Sequence, residues 1–178
     1  MAVLIEAISV VIRADSLIRK FPGGWDGFKS HVPNETLCAD NEIVRVGFMS
    51  PQDTESFVKL LTRSGLVHLQ DGHAIDLVVA DQIHGLASQC SWLEFGHVNF
   101  GNNPKQRIAA CRLVGSKSMQ VVTPPTWKFE GSLSHSYGFA PSEHIDKSLK
   151  YLRHENGLDV YLNSVTGQEV YIGRTGET

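Results

Sequence analysis

The clearest hydrophobic pattern in the chain covers residues 3–12, where the positions on both alternate faces are mostly apolar. Strands covered on both faces have this composition, whereas strands with one face in water alternate apolar and polar residues. Residues 43–49 form the next apolar stretch of strand length. The pattern therefore predicts a central strand, buried on each side, near the start of the chain.

The most specific helix signal begins at Ser50. A serine at the N-cap accepts a hydrogen bond from the Asp53 amide, Pro51 has no amide to leave unpaired, and Asp53 faces the positive helix end. Apolar residues then recur at helical spacing as far as Gly65, a residue type that ends helices in the left-handed conformation. These signals predict a helix from Pro51 to the glycine.

Three further helices are predicted from weaker signals. Asp15 is placed to cap a short helix whose apolar stripe includes Ile18, and residues 25–31 suit a second short helical turn. Pro141 opens a last helix, in which apolar residues recur at spacings of four and three at Ile145, Leu149 and Leu152.

The remaining pattern predicts several short strands. Asp71 and Gly72 suit a type I′ turn, so residues 67–69 and 75–79 form a predicted hairpin. The other predicted strands are residues 91–100, 107–114, 120–122, 127–133, 136–139, 158–162 and 169–172. Helices and strands mixed in this order predict an α+β fold, with a mainly antiparallel or mixed sheet and helices packed on it.

The domain organisation follows from the absence of a low-complexity linker, which favours one structural unit over residues 1–178. A glycine, an aromatic residue and then a proline precede a predicted helix twice, at residues 47–51 and 138–141. Two similar halves, 1–89 and 90–178, would explain this repetition. The same residues are also common before any helix, so both alternatives stay open.

The charge excludes several classes of protein. The formal charge is −3 with neutral histidines, and the basic residues are scattered, so neither a nucleic-acid partner nor a membrane surface is expected. No apolar run approaches the roughly 20 residues of a membrane span. Three cysteines at wide spacing, Cys38, Cys90 and Cys111, fit reduced thiols of a cytoplasmic protein better than a disulfide framework.

The motifs of several familiar activities are missing. The sequence holds no phosphate-binding loop and no Gly-x-Ser-x-Gly elbow. It also lacks Cys-x-x-Cys and His-Glu-x-x-His, so no metal and no cofactor are expected.

A dispersed Cys/His site is the remaining catalytic hypothesis. Cys90 is the candidate nucleophile, His97 or His135 the candidate base, and Glu94 the orienting carboxylate. On a regular strand Glu94 and His97 point to opposite faces, so the site needs a bulge at Gly96 to bring them together.

Aromatic residues supply the candidate contacts with a ligand or partner. Trp92 and Phe95 lie in a segment that combines aromatic, acidic and imidazole side chains, which suits a pocket wall and equally suits an ordinary strand packed on one side. Trp25 follows Gly24, and Trp127 comes shortly after Pro124 and Pro125, so both lie close to predicted loops, where contact roles are more common.

The sequence therefore predicts a soluble, non-catalytic module that binds an unknown small molecule or protein, with a homodimer through sheet edges as one way of associating. The second hypothesis is a small enzyme that uses Cys90. The third is a histidine-based acid sensor, because charging the eight histidines reverses the sign of the net charge.

Overall fold

The computed structural model describes residues 1–137, 149–155, 158–163 and 169–173. Its helices and its antiparallel and mixed sheets confirm the α+β class. The helices are α1 (Ala14–Lys20), α2 (Gly24–His31), α3 (Pro51–Arg63) and α4 (Leu133–Tyr137). The strands are β1 (Ala2–Ile5), β2 (Ile8–Arg13), β3 (Cys38–Ala39), β4 (Ile43–Phe48), β5 (Leu69–Gln70), β6 (His73–Ala74), β7 (Leu77–Asp81), β8 (Gly85–Leu86), β9 (Leu93–Asn99), β10 (Arg107–Leu113), β11 (Val121–Val122), β12 (Leu149–Glu155), β13 (Leu158–Asn163) and β14 (Glu169–Gly173).

Two sheets and a helical layer organise most of the described chain. A five-stranded antiparallel sheet has the order β3-β4-β2-β7-β8, and a four-stranded sheet has the order β11-β1-β10-β9 with a parallel pair at its β11 edge. The short β5–β6 hairpin and the antiparallel β12-β13-β14 sheet complete the strands described.

The five-stranded sheet has a hydrophobic core on each face. Val10 and Ile12 of β2 point to the face covered by α1, α2 and α3, where they pack with Leu17, Phe28 and Phe57. Residues of the opposite face pack against the four-stranded sheet; among them are Val11, Ile43 and Val78, with Val3, Ile5, Ala109 and Cys111 from across the interface. The prediction that the first apolar stretch is covered on each side is therefore confirmed for β2.

The prediction that residues 3–12 form one strand is wrong. β1 ends at Ile5, β2 begins at Ile8, and the two strands belong to different sheets. Ala7 has a φ of 49°, in the left-handed region that a strand does not use. The chain therefore turns a corner at Glu6 and Ala7, and an apolar pattern on both sides of a corner looks the same as one long strand.

Helix α3 and the hairpin turn form as their local residues predict. The Ser50 hydroxyl accepts a hydrogen bond from the Asp53 amide at 3.1 Å, and Gly65 follows the helix with a φ of 113°. Asp71 and Gly72 both have positive φ, at 52° and 79°, between the paired strands β5 and β6. The second predicted strand of the hairpin, 75–79, is wrong, because residues 77–79 lie in β7 and pair with β2. In α1, by contrast, two predictions are wrong. Asp15 lies inside the first turn, and Arg13 is the N-cap; Ile18 is exposed rather than part of the apolar stripe.

Three predictions near the C-terminal end are wrong. Residues 127–132 form turns and α4 follows at Leu133, so the strand predicted over 127–133 does not exist, and residues 136–137 also lie in that helix. Leu149 and Leu152 lie in β12 rather than in a helix, and β12 pairs antiparallel with β13. The register of this pair shifts between Tyr151 and Arg153, which disturbs the alternation that marks a strand.

Residues 138–148 lie outside the described residues, and with them the predicted start of the last helix at Pro141 and the second copy of the repeated glycine-proline segment. The hypothesis of two similar halves therefore stays a prediction. The strands predicted over 158–162 and 169–172 are confirmed as β13 and β14.

Candidate functional site

The corner between β1 and β2 positions the most distinctive side chain of the protein. The Ala7 carbonyl accepts a hydrogen bond from the Gln82 amide, and the Gln82 side-chain oxygen accepts one from the Ala7 amide, both at 2.9 Å. Gln82 is itself buried, so this double contact fixes the corner. Glu6 precedes Ala7 and therefore projects from a fixed corner rather than from a strand face.

The Glu6 carboxylate is held by three neutral donors. One oxygen, Oε1, accepts the Trp127 indole N–H at 2.6 Å. The other, Oε2, accepts the Ser134 amide at 2.6 Å and the Ser134 hydroxyl at 2.8 Å. The residue is 9% exposed. The ion pairs of the described residues do not include Glu6, so its charge has no cation in contact there.

Arg45 of β4 lies beside this corner and is 2% exposed. Its Nε donates to the Ser9 hydroxyl at 3.0 Å, its Nη1 to the Thr36 carbonyl at 3.1 Å, and its Nη2 to the Glu6 carbonyl at 3.1 Å. Burial lowers the pKa of the guanidinium, an effect that the nearby Cys38 and Glu6 side chains oppose. Arginine stays protonated in proteins, so the corner holds a buried positive charge satisfied by neutral acceptors.

Gly47 makes room for the guanidinium. A Cβ at this position would lie 2.3 Å from Nη2 and 2.8 Å from Cζ of Arg45, because residues two apart on a strand share a face. The edge of β4 at Gly47 is closed by side chains: the Thr36 hydroxyl accepts from the Gly47 amide at 2.6 Å, and the Asn34 amide group donates to the Gly47 carbonyl at 2.7 Å. These hydrogen bonds hold residues 34–36 in place beside the end of β4.

These groups line a cleft of about 350 Å³ that opens to solvent. Its lining includes the polar residues Glu6, Thr36 and Arg45 and the apolar residues Phe48, Met49, Pro124, Trp127 and Leu133. A second cavity of about 420 Å³ shares Asn34 and Phe48 with the first. The other residues that line the second cavity are His31, Pro33, Asp53, Ser56, Phe57 and Leu60.

The structure does not bring the candidate Cys/His site together on β9. Pairing of β9 with β10 continues without a bulge from Leu93 to Asn99, so Glu94 and His97 stay on opposite faces. The Glu94 carboxylate pairs with Arg112, and the His97 ring packs edge-on against Phe95 at 5.3 Å. Burial lowers the pKa of His97, and the charge of Arg107 acts in the same direction.

The other two members of that hypothesis lie elsewhere. Cys90 precedes β9 and packs, half-buried, against the core between the two sheets. His135 lies in α4, where its ring meets Phe129 edge-on at 5.4 Å and its amide donates to the Ser132 hydroxyl. Catalysis by these residues stays a prediction. The described residues contain no group of three metal-ligating side chains.

The four aromatic candidates occupy three different places. Trp92 is buried and its indole N–H donates to the Ala74 carbonyl at 3.0 Å, while Phe95 packs partly buried against the same core. Trp25 stacks on Phe28 with ring centres 5.7 Å apart. Trp127 lines the cleft and holds Glu6, so among these four it is the one placed at the candidate site.

Glu6, Arg45 and Gly47 are not among the site residues predicted from the sequence. Their signal is a charged residue within an otherwise apolar strand: Glu6 interrupts the apolar run of residues 3–12, and Arg45 stands between Val44 and Val46. A buried charge needs partners, so two such residues indicate a shared polar site. Nothing in the local pattern shows that Trp127 and Ser134 are the partners of Glu6.

Comparison of the chain with protein-family models, with curated proteins and with solved structures finds no match. None of the helices in the described ranges has the length and apolar character that crossing a membrane requires. The function is therefore inferred from the geometry of the cleft.

Proposed function

We propose that this protein is a non-catalytic small-molecule-binding module and that the cleft at Glu6 is its binding site. The observation that carries the proposal is the Glu6 carboxylate: it lines the cleft, three neutral donors fix its position, and the ion pairs of the described residues leave it without a cation in contact. A charged group fixed in this way is already oriented before a ligand arrives.

The size and lining of the cleft support this proposal. Small-molecule sites are concave, mostly apolar and furnished with a few polar groups, and their volumes run from about 300 to 1,000 Å³. The lining of this cleft of about 350 Å³ combines apolar side chains, among them Phe48 and Leu133, with the polar groups of Glu6 and Thr36. Fixed polar groups favour affinity, because little conformational freedom remains to be lost on binding.

The same contacts favour binding over catalysis. A nucleophilic site needs a nucleophile with a base within hydrogen-bond reach. The described lining of the cleft contains no cysteine, histidine or lysine, and the Thr36 hydroxyl already donates to the Asn34 side-chain oxygen at 2.5 Å.

A fragment screen followed by amide NMR tests the proposal. The probes are small alkylamines, carboxylates and neutral heteroaromatics. At least one class is expected to shift the Trp127 indole and Gly47 amide resonances, with dissociation constants near the millimolar range that fragments of this size reach. In Met49→Trp, a bulky side chain at the cleft wall should abolish these shifts, whereas Ile18→Trp, on the exposed face of α1, should preserve them. Shifts confined to other surfaces, or none with any class, would refute the proposal.

The cytoplasmic location and the homodimer remain predictions. The structure has three free thiols, two of them buried, which supports the proposal of a reducing, cytoplasmic compartment. A homodimer is best tested by sedimentation velocity, and repeating the runs at pH 5 and pH 7 tests the acid-sensor hypothesis in the same experiment.

A further inference from the structure

The charge that a ligand meets in the cleft is negative. Two carboxylates, those of Glu6 and Glu35, line it together with the single guanidinium of Arg45. Arg45 is 2% exposed and all three of its nitrogens donate to protein acceptors, so a ligand anion could reach it only by displacing those bonds. Glu6 is the more accessible of the two buried charges.

Glu6 also keeps hydrogen-bonding capacity. A carboxylate offers about four lone-pair sites, and the bonds from Trp127 and Ser134 use three of them. The remaining site suits a donor from the ligand. A cationic donor fits best, because a charge-assisted hydrogen bond is about twice as strong as a neutral one and partial exclusion of water strengthens it.

The neighbouring cavity suggests where the apolar part of the ligand lies. The cleft and the second cavity share Phe48 and Asn34 in their linings, so the two spaces are neighbours at the end of β4. The lining of the second cavity also includes Phe57 and Leu60 of α3. An unbranched chain directed from Glu6 past Phe48 would approach these two side chains.

We propose that the ligand is a primary alkylamine, with its ammonium group on the Glu6 carboxylate and its chain lying along Phe48 into the second cavity. This inference rests on the proposed function of the cleft. The ammonium group supplies three donors and a compact charge, and the chain replaces water on apolar side chains.

A homologous series of ligands tests the inference on the unmodified protein. n-Butylamine to n-octylamine are titrated at neutral pH with the Trp127 indole as the NMR reporter, beside the alcohols and carboxylates of equal length. Amine affinity is expected to rise about fourfold for each methylene that enters the second cavity. The matched alcohols and carboxylates should bind at least tenfold more weakly.

Three variants locate the two ends of the ligand. Glu6→Gln should weaken amine binding at least tenfold and leave alcohol binding unchanged. Ser56→Trp fills the second cavity and should remove the gain with chain length beyond the shortest amines. Glu55→Gln, an exposed position of α3 that pairs with Lys59, is the control and should match the wild type. If Glu6→Gln unfolds, the comparison of amines with alcohols on the wild type still decides the ammonium assignment.

The outcomes separate this inference from the proposed function. Carboxylates or alcohols that bind the cleft as tightly as amines would overturn the ammonium assignment and leave a small-molecule site in place. A flat dependence on chain length would overturn the placement of the chain. Absence of cleft shifts with every class of probe would overturn the proposed function itself.

Discussion

At the scale of the residue, the protein keeps two charged side chains out of water and satisfies them with neutral groups. Burying an unpaired charge costs several kcal/mol, so each hydrogen bond to Arg45 and Glu6 offsets a loss of hydration. Arg45 donates to the Ser9 hydroxyl and the Glu6 carbonyl, both near the corner between β1 and β2, and to the Thr36 carbonyl from a separate part of the chain. Its position therefore depends on an open space above the guanidinium at Gly47.

The substitution Gly47→Ala should destabilise the protein by about 3 kcal/mol, because the new Cβ would displace the Arg45 guanidinium and leave a buried charge without its bonds. Gly96→Ala is the matched control: it is also a strand glycine, and a Cβ there meets no atom within 4 Å. Urea unfolding followed by circular dichroism measures both. Equal effects at the two positions would contradict the role assigned to Gly47.

Asp76 should make stability depend on pH. Burial alone would raise its pKa, but hydrogen bonds from the Lys20 ammonium and the Val67 amide, both at 2.7 Å, outweigh burial and lower it. A lowered folded-state pKa gives stability that is complete above about pH 4, the unfolded value, and is lost as pH falls through the folded value.

The substitution Asp76→Asn should therefore cost about 2 kcal/mol at pH 7, and the deficit should shrink below pH 4. Urea unfolding at pH 7, 5 and 3 measures this. Asp26→Asn is the control: the exposed carboxylate of Asp26 pairs with Lys29 at 3.4 Å, and such pairs contribute little at any pH. A deficit for Asp76→Asn that stays constant down to pH 3 would contradict the lowered pKa.

At the scale of the element, the sequence predicts an element correctly where its own residues supply the cap or the backbone conformation that the element requires. Ser50, Pro51 and Asp53 define the start of α3, and Asp71 with Gly72 define the hairpin turn, so both could be predicted. The turns at residues 127–132 could not, because the alternating pattern around Trp127 resembles a strand while the indole is held by Glu6. A contact between distant residues outweighs local preference there.

Ala7 stores backbone strain at the corner between β1 and β2. Left-handed φ costs an L-residue about 1–2 kcal/mol, whereas glycine adopts it freely. Ala7→Gly should therefore stabilise the protein, by about 0.5–1 kcal/mol after the greater entropy of unfolded glycine is subtracted. Ala80→Gly, the same change in extended backbone of β7, should destabilise it. Thermal unfolding compares the two, and a loss of stability at Ala7 would show that the corner is not strained.

At the scale of the whole molecule, a hydrophobic core lies on each face of the five-stranded sheet. The three cysteines lie in or against the core between the two sheets, so their reactivity measures how well that core is protected. Burial raises the pKa of Cys38, although the charge of Arg45 opposes the effect, and burial likewise raises the pKa of Cys111. Both thiols are buried, whereas Cys90 is half-buried.

Alkylation with iodoacetamide, read by peptide mass spectrometry, should therefore label Cys90 first. Cys38 and Cys111 should react only at the rate at which the protein opens, because their thiolates are disfavoured and shielded. Labelling of all three cysteines at one rate would contradict the burial of Cys38 and Cys111 in the core between the two sheets. Labelling of Cys90 at pH 7 faster than in the unfolded chain would favour the enzyme hypothesis.

The sequence by itself determined the α+β class, helix α3, the turn of the β5–β6 hairpin, the burial of β2 and the existence of β4, because these features depend on side-chain patterns within a few residues. The tertiary structure alone decided the corner at Glu6 and the site built on it. Trp127 and Ser134 follow Glu6 by 121 and 128 residues, and Arg45 links the corner at Glu6 and Ser9 with Thr36. A charge shows locally that it needs partners, but only packing brings the distant donors and acceptors to it.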